Sequence, residues 1–600
     1  MPELIFKGKE FVYNHHLAVP HHPLVPHPDK SIGAARMDGN LIIQGDNLLA
    51  LKSLLPMYAG KVDCVFIDPP YNTGNEGWCY NDNVNSPLMQ EWLKSNPVGI
   101  EDGLRHDKWC AMMWPRLRLL HELLADTGSL WVTLDDNETH RARAMLDDIF
   151  GEQNFIANIA WVKRYTRSNN ARMFYSLKDN VVVYRKTNAL NLIKEARSEN
   201  ADSSYSNSDN DPRGPWMTSS YVNPATREQR QNLGYAILNP FIHQEVVHPT
   251  HAWKYSFDEH QRHVAENMLW WGVDGNAQYP RLKLFLNEAN MMVPVDVWDY
   301  TEVGSSDDGG DEIKRIFGSA VFDNPKPPAL VEKILALVQK DDALILDSFA
   351  GSGTTAHAVL SANKKDGGDR KFILVECEDY ADTLTAERVR RVINGYAFTG
   401  TQREELLRKS LTFTDLKKAD KLLDQIASIE NLDGHRFDSI DKKVKDGELI
   451  VEGIKAIAER TEGLGGSFTY CTLGAAIEMD KMLTGETLPT FEQLGALLYH
   501  MATNESFDVA KSWEKDGHGY LGESTNFHVW LIYRPDLDFL KSRDAALTLS
   551  KAKDLVKAKP GKRHLVFAPA KFVSQKLLAE AGLQVEFAPL PFALYRVERQ

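Results

Sequence analysis

The run Leu344-Ile345-Leu346-Asp347-Ser348-Phe349-Ala350-Gly351-Ser352-Gly353-Thr354-Thr355-Ala356-His357 constrains the fold more than any other stretch of this chain. Its apolar start reads as a short buried strand, its glycine pair as a tight turn, and Thr354 to Leu360 as a helix. Glycine lets backbone approach a ligand where a Cβ would clash, and a helix start offers free N–H groups, so the unit suits a cofactor. The next strand, Phe372 to Val375, ends at Glu376, close to the offset of about 20 residues at which an acid takes ribose hydroxyls. The Gly351-to-Ala356 pattern, G-x-G-x-x-A, also fits a plain structural turn. No Gly-Lys-Ser/Thr follows it, which excludes a phosphate-gripping P-loop.

A second strand ends in a different corner. Val62 to Ile67 is almost wholly apolar, as expected of a strand covered on both faces, and stops at Asp68-Pro69-Pro70-Tyr71. Open α/β sheets place ligands at this carboxyl edge. Two prolines fix the backbone and remove two N–H donors, which leaves the Pro69 carbonyl without a competing donor. A carboxylate beside a rigid carbonyl gives two acceptors for one amino group, and the tyrosine gives a stacking face. A flat heteroaromatic ring bearing an NH2 would fit. Alone, the corner is also a turn that ends a strand.

Around these motifs, strands and helices alternate. Leu41 to Ile43 is a strand ending at Gln44-Gly45-Asp46-Asn47, followed by a helix to Tyr58; Ser129 to Leu134 is a strand, and a helix capped from Asp135 to Asn137 runs to Phe150, where Gly151 stops it. Alternation predicts an α/β domain with a parallel sheet. It fades between about 155 and 310 and returns at Pro327. Five segments are expected: a His/Pro-rich extended arm at 1–40, one half of the core at 41–186, an inserted module at 187–310, the cofactor half at 311–400, and a charged C-terminal part at 401–600, helical to about Lys445 and then α+β. Prolines interrupt the spacing of His15, His16, His21, His22 and His27, so they read as an arm rather than a metal site.

Composition excludes other classes. The 600 residues carry a net charge of -14, which rules out histone-like bulk basicity while leaving local basic patches open. Five dispersed cysteines, Cys64, Cys79, Cys110, Cys377 and Cys471, form no CxxC pair, so neither a disulfide framework nor a zinc knuckle is expected. Cys64 and Cys377 read as packed thiols. No apolar run reaches transmembrane length and Met1 to Lys9 lacks a signal-peptide core, so a cytoplasmic protein with no membrane partner and no metal is expected.

The two motifs together resemble the DNA amino-methyltransferases that use S-adenosylmethionine. Asp68 to Tyr71 resembles their catalytic motif, and Phe349 to Gly353 their F-x-G-x-G cofactor motif. Here the catalytic motif comes first, the permuted order of the β class. The extended forms Asp68 to Gly74 and Asp347 to His357, with Asn324-Pro325-Lys326-Pro327, are similar to the modification (Mod) subunit of type III restriction-modification systems. Similarity is weaker after residue 400, around Met482 to Glu486. The resemblance implies a Rossmann-like doubly wound methyltransferase sheet in permuted order, an inserted target-recognition module and a C-terminal α+β domain. It implies Asp68, Pro69, Pro70 and Tyr71 as catalytic residues. Asp46, Asp68, Asn324, Lys326, Asp347, Phe349, Gly351, Ser352, Gly353 and Glu376 are the implied cofactor contacts. Double-stranded DNA, a homodimer and a helicase-nuclease restriction subunit are the implied partners.

The chemistry expected is methylation of adenine N6. Its lone pair is delocalised into the ring, and accepting both N–H protons on Asp68 and the Pro69 carbonyl favours a more reactive, pyramidal nitrogen. The base must leave the duplex at a cost of a few kcal/mol, part of which stacking on Tyr71, worth about 1–3 kcal/mol, would recover. Aspartate in the first motif position favours adenine over the cytosine N4 amino group as a family tendency. The alternatives are cytosine-N4 methylation, a nicotinamide or flavin oxidoreductase on the same glycine loop, and a non-catalytic DNA-recognition subunit. For DNA contact, residues 161 to 186 place Lys163, Arg164, Arg167, Arg172, Lys178, Arg185 and Lys186 among Trp161, Tyr165, Phe174, Tyr175 and Tyr184, with Asp179 the one acid. A solvated basic face over a core strand is the competing reading. Trp216, Tyr221, Arg227, Arg230 and Lys254 are candidates in the inserted module. His357 reads as structural.

Overall fold

The structure, a computed structural model, describes residues 4–73, 103–166, 173–197, 202–288, 291–410, 419–445, 448–477, 482 and 487–590. Gly74, Cys79, Arg167, Arg172 and residues 483–486, named above, lie outside the described residues. The chain forms two compact units, Leu192–Pro294 and the remainder.

The larger unit is built on a ten-stranded sheet. Its strands in chain order are β1 (Leu24–Pro26), β2 (Leu41–Gln44), β3 (Val62–Ile67), β4 (Leu124–Leu134), β5 (Phe155–Val162), β6 (Lys178–Arg185), β7 (Val297–Trp298), β8 (Leu344–Asp347), β9 (Lys371–Glu376) and β10 (Thr469–Leu473). The spatial order is β1-β10-β2-β9-β8-β3-β4-β6-β5-β7. From β10 to β4 all neighbours are parallel, β6 is antiparallel to both β4 and β5, and β5 is parallel to β7. Such a mostly parallel sheet must be covered on both faces, and every residue of β3 is buried. The helices α1 (Asn47–Tyr58), α2 (Arg105–Leu123) and α3 (Thr139–Phe150) cover one side of the apolar core with Trp109, Leu117, Leu120, Met145 and Leu146.

The topology brings distant sequence together. β8 lies directly beside β3, with Ile345 opposite Cys64 and Leu346 opposite Val65. The glycine turn after β8 and the Asp68 corner after β3 therefore leave the same sheet edge from adjacent strands. β9, which ends at Glu376, flanks β8 on its other side. β2, which leads to Asp46, lies beyond β9.

Several sequence expectations are corrected. The arm at 1–40 is not simply extended: Lys9–Val12 and His15–Ala18 are short helices, His16 is buried, and β1 pairs with β10. Residues 401–445 are not continuously helical. Tyr396–Ser410 is a long strand paired along Glu448–Thr461, with Ser439–Lys445 on the far side, and only Ala419–Asp433 is a helix. The charges there make cross-strand pairs, such as Arg408 with Glu448 at 2.9 Å and Lys443 with Glu452 at 2.8 Å, instead of pairs along a helix. The stretch after 400 also returns to the central sheet, as β10. Cys377 is exposed rather than packed, whereas Cys64, Cys110 and Cys471 are buried. Residues beyond 487 form a second sheet of five strands, the last three parallel.

The unit Leu192–Pro294 has its own small core of Tyr221, Ile237, Trp253, Trp271 and Leu282. Lys283, almost fully buried, is held by Asp209 and Asp211. Tyr221 bonds the ring nitrogens of His260 and His263 at 3.2 and 3.0 Å.

Candidate active site at the carboxyl edge of the sheet

Asp68 follows β3 directly, and both of its carboxylate oxygens have partners. Thr133, near the end of the adjacent strand β4, donates its hydroxyl to Oδ1 at 2.6 Å. The Lys326 ammonium pairs with Oδ2. Pro69 is buried. The Pro70 carbonyl accepts the indole N–H of fully buried Trp109 at 2.7 Å, so α2 pins the turn. Asn72 is buried with φ of 59°, a left-handed conformation that asparagine tolerates better than most residues. Its amide donates to the Arg105 carbonyl and to Glu138, a wholly buried acid whose carboxyl burial pushes up.

Tyr71 stands between two cations and two acids. Its hydroxyl donates to Asp179 Oδ2 at 3.3 Å, and Asp179, on β6, is ion-paired with Lys163 at 2.6 Å. The ammonium groups of Lys326 and Lys163 lie 5.1 and 5.9 Å from the Tyr71 ring centroid, within cation–π range. Burial, then the negative charges of Asp68 and Asp179, raise the Tyr71 phenol well above its ordinary value. It therefore stays a neutral hydrogen-bond donor.

The glycine loop is closed by Asp347, the last residue of β8. Its buried carboxylate accepts the Phe349 N–H at 3.0 Å and the Thr355 hydroxyl at 2.5 Å, which ties the loop to the start of the helix Thr354–Asp366 (α4). Burial pushes this carboxyl up to about 7. Gly351 and Gly353 have φ of 50° and 77°; a Cβ at Gly351 would lie 3.1 Å from the Phe322 ring, and one at Gly353 3.1 Å from the Thr385 carbonyl. The left-handed backbone favours glycine at both positions, and a side chain at either would also be tightly crowded. The Gly351 N–H donates to Glu376 Oε2 at 2.7 Å and the Glu378 N–H to Oε1 at 3.1 Å. Burial raises the Glu376 carboxyl.

Beneath the loop sits Arg388, with no measurable exposure. It donates to the Ser352 hydroxyl at 2.9 Å, the Thr354 hydroxyl at 2.7 Å and His357 Nδ1 at 3.3 Å. Thr354 in turn donates to the Lys326 carbonyl at 3.1 Å, linking the loop to the lysine that pairs with Asp68. Burial, with Arg388 nearby, lowers the His357 imidazole to about 3, so it is neutral and structural. Asp46 caps α1 by accepting the Leu48 and Leu49 N–H groups at 2.8 and 3.3 Å. The Gly45 N–H donates to the Glu376 carbonyl at 2.9 Å, which joins the ends of β2 and β9.

Most of the residues singled out by sequence meet at this edge: Asp46, Asp68, Tyr71, Lys326, Asp347, Phe349, Gly351, Gly353 and Glu376. Asn324 is exposed with φ of 54°. Ser352 is buried and engaged by Arg388, so it supports the loop from within. The basic run at 161–186 is less uniform than expected. Lys163 is ion-paired to buried Asp179 beside Tyr71. Trp161 and Tyr184 are fully buried core residues. Arg164 bonds the Tyr175 hydroxyl at 2.7 Å, and Lys178 pairs with Asp136 at 2.9 Å. In the smaller unit Trp216 and Tyr221 are also core residues. Sequence reading missed Thr133, Trp109 and Arg388. Asp179 carried a signal, as the one acid in a basic run. Among the described residues no cluster of three or more His, Cys, Asp or Glu could hold a metal ion, and no helix is long and apolar enough to cross a membrane.

The family profile for DNA methylase matches residues 62–387, just over half of the chain. The chain is 36% identical over 350 residues to the type III restriction-modification enzyme StyLTI Mod subunit of Salmonella typhimurium strain LT2, covering 56% of this chain and 52% of that protein. It is 28% identical over 416 residues to the EcoPI Mod subunit of Escherichia phage P1, covering 63% of each. It is 31% identical over 366 residues to the type II methyltransferase M.KpnI of Klebsiella pneumoniae, covering 58% of this chain and 82% of that one. The match thus spans about half of the first relative and under two thirds of the second. The matched stretch contains both the Asp68 corner and the glycine loop, and the chain belongs to the DNA methylase family.

Proposed function

We propose that this chain is an S-adenosylmethionine-dependent DNA methyltransferase acting on the N6 amino group of adenine, the modification and recognition subunit of a restriction-modification system. One observation carries the proposal: the carboxylate of Asp68 and the glycine turn at Gly351–Gly353 leave adjacent parallel strands at one sheet edge. The order of the two motifs along the chain supports the permuted β class. The similarity to Mod subunits and M.KpnI supports the methyltransferase reading over an oxidoreductase.

The residues present fit the cofactor. Gly351 and Gly353 take left-handed turns close against the Phe322 ring and the Thr385 carbonyl, Glu376 holds the Gly351 N–H and sets a carboxylate at the loop's rim, and Phe349 is the proposed apolar contact. Each Glu376 oxygen holds one backbone N–H and keeps acceptor capacity for a ribose hydroxyl. Asp46, Asn324, Lys326, Asp347 and Ser352 complete the proposed contacts, Asp347 and Ser352 by shaping the loop. When bound, the cofactor supplies an activated methyl group on a sulfonium.

The chain's own residues then orient the acceptor. Thr133 fixes the Asp68 carboxylate through Oδ1, which leaves Oδ2 for the incoming amino group once Lys326 withdraws. The Pro69 carbonyl takes the second N–H, and Pro70, locked by Trp109, keeps that geometry. Tyr71 stacks on the base, its ring held by Asp179. Alignment alone supplies several kcal/mol of rate enhancement.

The assignments extend to the rest of the chain. Residues 187–310, which include the compact unit Leu192–Pro294, are the proposed target-recognition module. Residues 1–40 are an arm, 41–186 and 311–400 the two core halves, and 401–600 an assembly or DNA-contact domain. Lys163, Arg164, Arg167, Arg172 and Lys178 are the proposed DNA contacts. Double-stranded DNA, a second copy and a restriction subunit are the proposed partners, in the cytoplasm. Long-read sequencing of DNA from cells expressing the chain tests the proposal: N6-methyladenine at one recurrent sequence is expected, and unmodified DNA, or N4-methylcytosine, contradicts it.

A further inference from the structure

β5 and β6 meet β4 so that β5 ends, and β6 begins, at the edge that carries Asp68. The limbs of this hairpin are firmly held. Lys163 N–H donates to the Leu177 carbonyl at 2.9 Å, and the Lys163 carbonyl accepts the Ser306 N–H at 3.0 Å. Arg164 bonds the Tyr175 hydroxyl at 2.7 Å, and the rings of Tyr165 and Tyr300 lie 5.5 Å apart. On the return limb next to Tyr175, Met173 is 89% exposed and Phe174 96% exposed.

A single exposed apolar residue needs no explanation. Two large ones in succession, beside pinned neighbours and at the edge where Tyr71 stands, call for a partner. Removing a base from a duplex leaves an apolar slot one base thick, and proteins that unstack DNA fill such slots with Phe, Leu, Ile or Met wedges. We infer that Met173 and Phe174 form a wedge that enters the DNA stack where the target base has left. Phe174 supplies the ring that replaces base stacking and Met173 the adaptable apolar shoulder. This rests on the methyltransferase reading above and goes beyond it: it assigns who occupies the gap, whereas Tyr71 receives the base. Arg164, which bonds the Tyr175 hydroxyl, gives the hairpin a cation for the DNA backbone.

The test uses the full chain and duplexes carrying the sequence found by long-read sequencing. In one duplex the target base is paired; in the other it faces an abasic site, so that flipping costs little. For Phe174→Ala, kcat/KM on the paired duplex is expected to fall about tenfold or more, and on the abasic duplex by less than about threefold. Phe174→Leu should restore most of the loss, and Met173→Ala should show a smaller defect of the same pattern. Cofactor affinity and melting temperature should not change, because both side chains are almost fully exposed. Equal losses on both duplexes, no loss on either, or a loss that tracks a changed oligomeric state overturns the wedge. An inactive wild type instead overturns the methyltransferase reading itself, and the wedge with it.

Discussion

Lys326 Nζ pairs with Asp68 Oδ2 although 258 positions separate the two residues in the chain. This contact joins the segment before the cofactor strand to the corner proposed to hold the target amino group. The same lysine's carbonyl is held by Thr354 at the start of α4. Under the proposed function, Lys326 leaves the Asp68 carboxylate to contact the cofactor. Lys326→Ala should weaken cofactor binding by roughly 1.5–3 kcal/mol, the usual worth of a charge-assisted bond. Unchanged affinity by calorimetry would remove Lys326 from the cofactor site.

Thr133 orients Asp68 through one hydrogen bond at 2.6 Å. Thr133→Val keeps the volume and removes the donor. kcat should drop about ten- to a hundredfold, as expected for losing a bond to a charged group, while KM for DNA and cofactor affinity hold. A variant with wild-type kcat would show that Asp68 needs no such support.

Glu376 is tied to the glycine turn by the Gly351 N–H at 2.7 Å. Glu376→Ala should raise the cofactor dissociation constant by at least about tenfold, by loss of the ribose acceptor and of the loop's anchor. Glu376→Gln should recover part of it, since the amide oxygen can still take one N–H. Identical affinities for the wild type and both variants would place the ribose elsewhere.

Asp347 gives the fold a specific pH dependence. Its carboxyl titrates near 7 in the folded chain because it is buried, against an ordinary value of 3.8. Between those values the folded chain keeps a proton that the unfolded chain has lost. The contribution of this group to stability therefore falls as pH rises from about 4 to about 7 and is level above that. Asp347→Asn should remove this component, so its melting temperature relative to wild type should be higher at pH 8 than at pH 5. Parallel melting profiles for the two proteins across that range would contradict the assignment.

The core of this fold was legible because its signals are local. Val62–Ile67 and Leu344–Leu346 are short apolar runs stopped by Pro-Pro and by a glycine turn, and each lies where sequence places it. The helix after Asp46 and the stop at Gly151 are also written in caps. Tyr396–Ser410 was not legible, because a strand rich in Arg, Glu and Lys is held by a backbone ladder to partners some 50 residues on. The same holds for Thr469–Leu473, which completes a sheet begun at Leu41. In the site, the motif residues were visible while their supports were not. Thr133 and Trp109 look like ordinary strand and helix residues, and only the third dimension puts a hydroxyl on Asp68 and an indole on Pro70. Lys163 shows what a basic run alone does not tell: its ammonium is ion-paired to buried Asp179 beside Tyr71.

On the proposed function, the Asp68 corner and the glycine loop serve one reaction in one pocket. The decisive measurement is transfer of a labelled methyl group to DNA by Asp68→Ala, made alongside calorimetric binding of S-adenosylmethionine to the same preparation. Methyl transfer should be lost while the cofactor still binds within roughly tenfold of wild-type affinity, because Asp68 aligns the acceptor and is only one of several cofactor contacts. Turnover that survives the substitution would contradict the account.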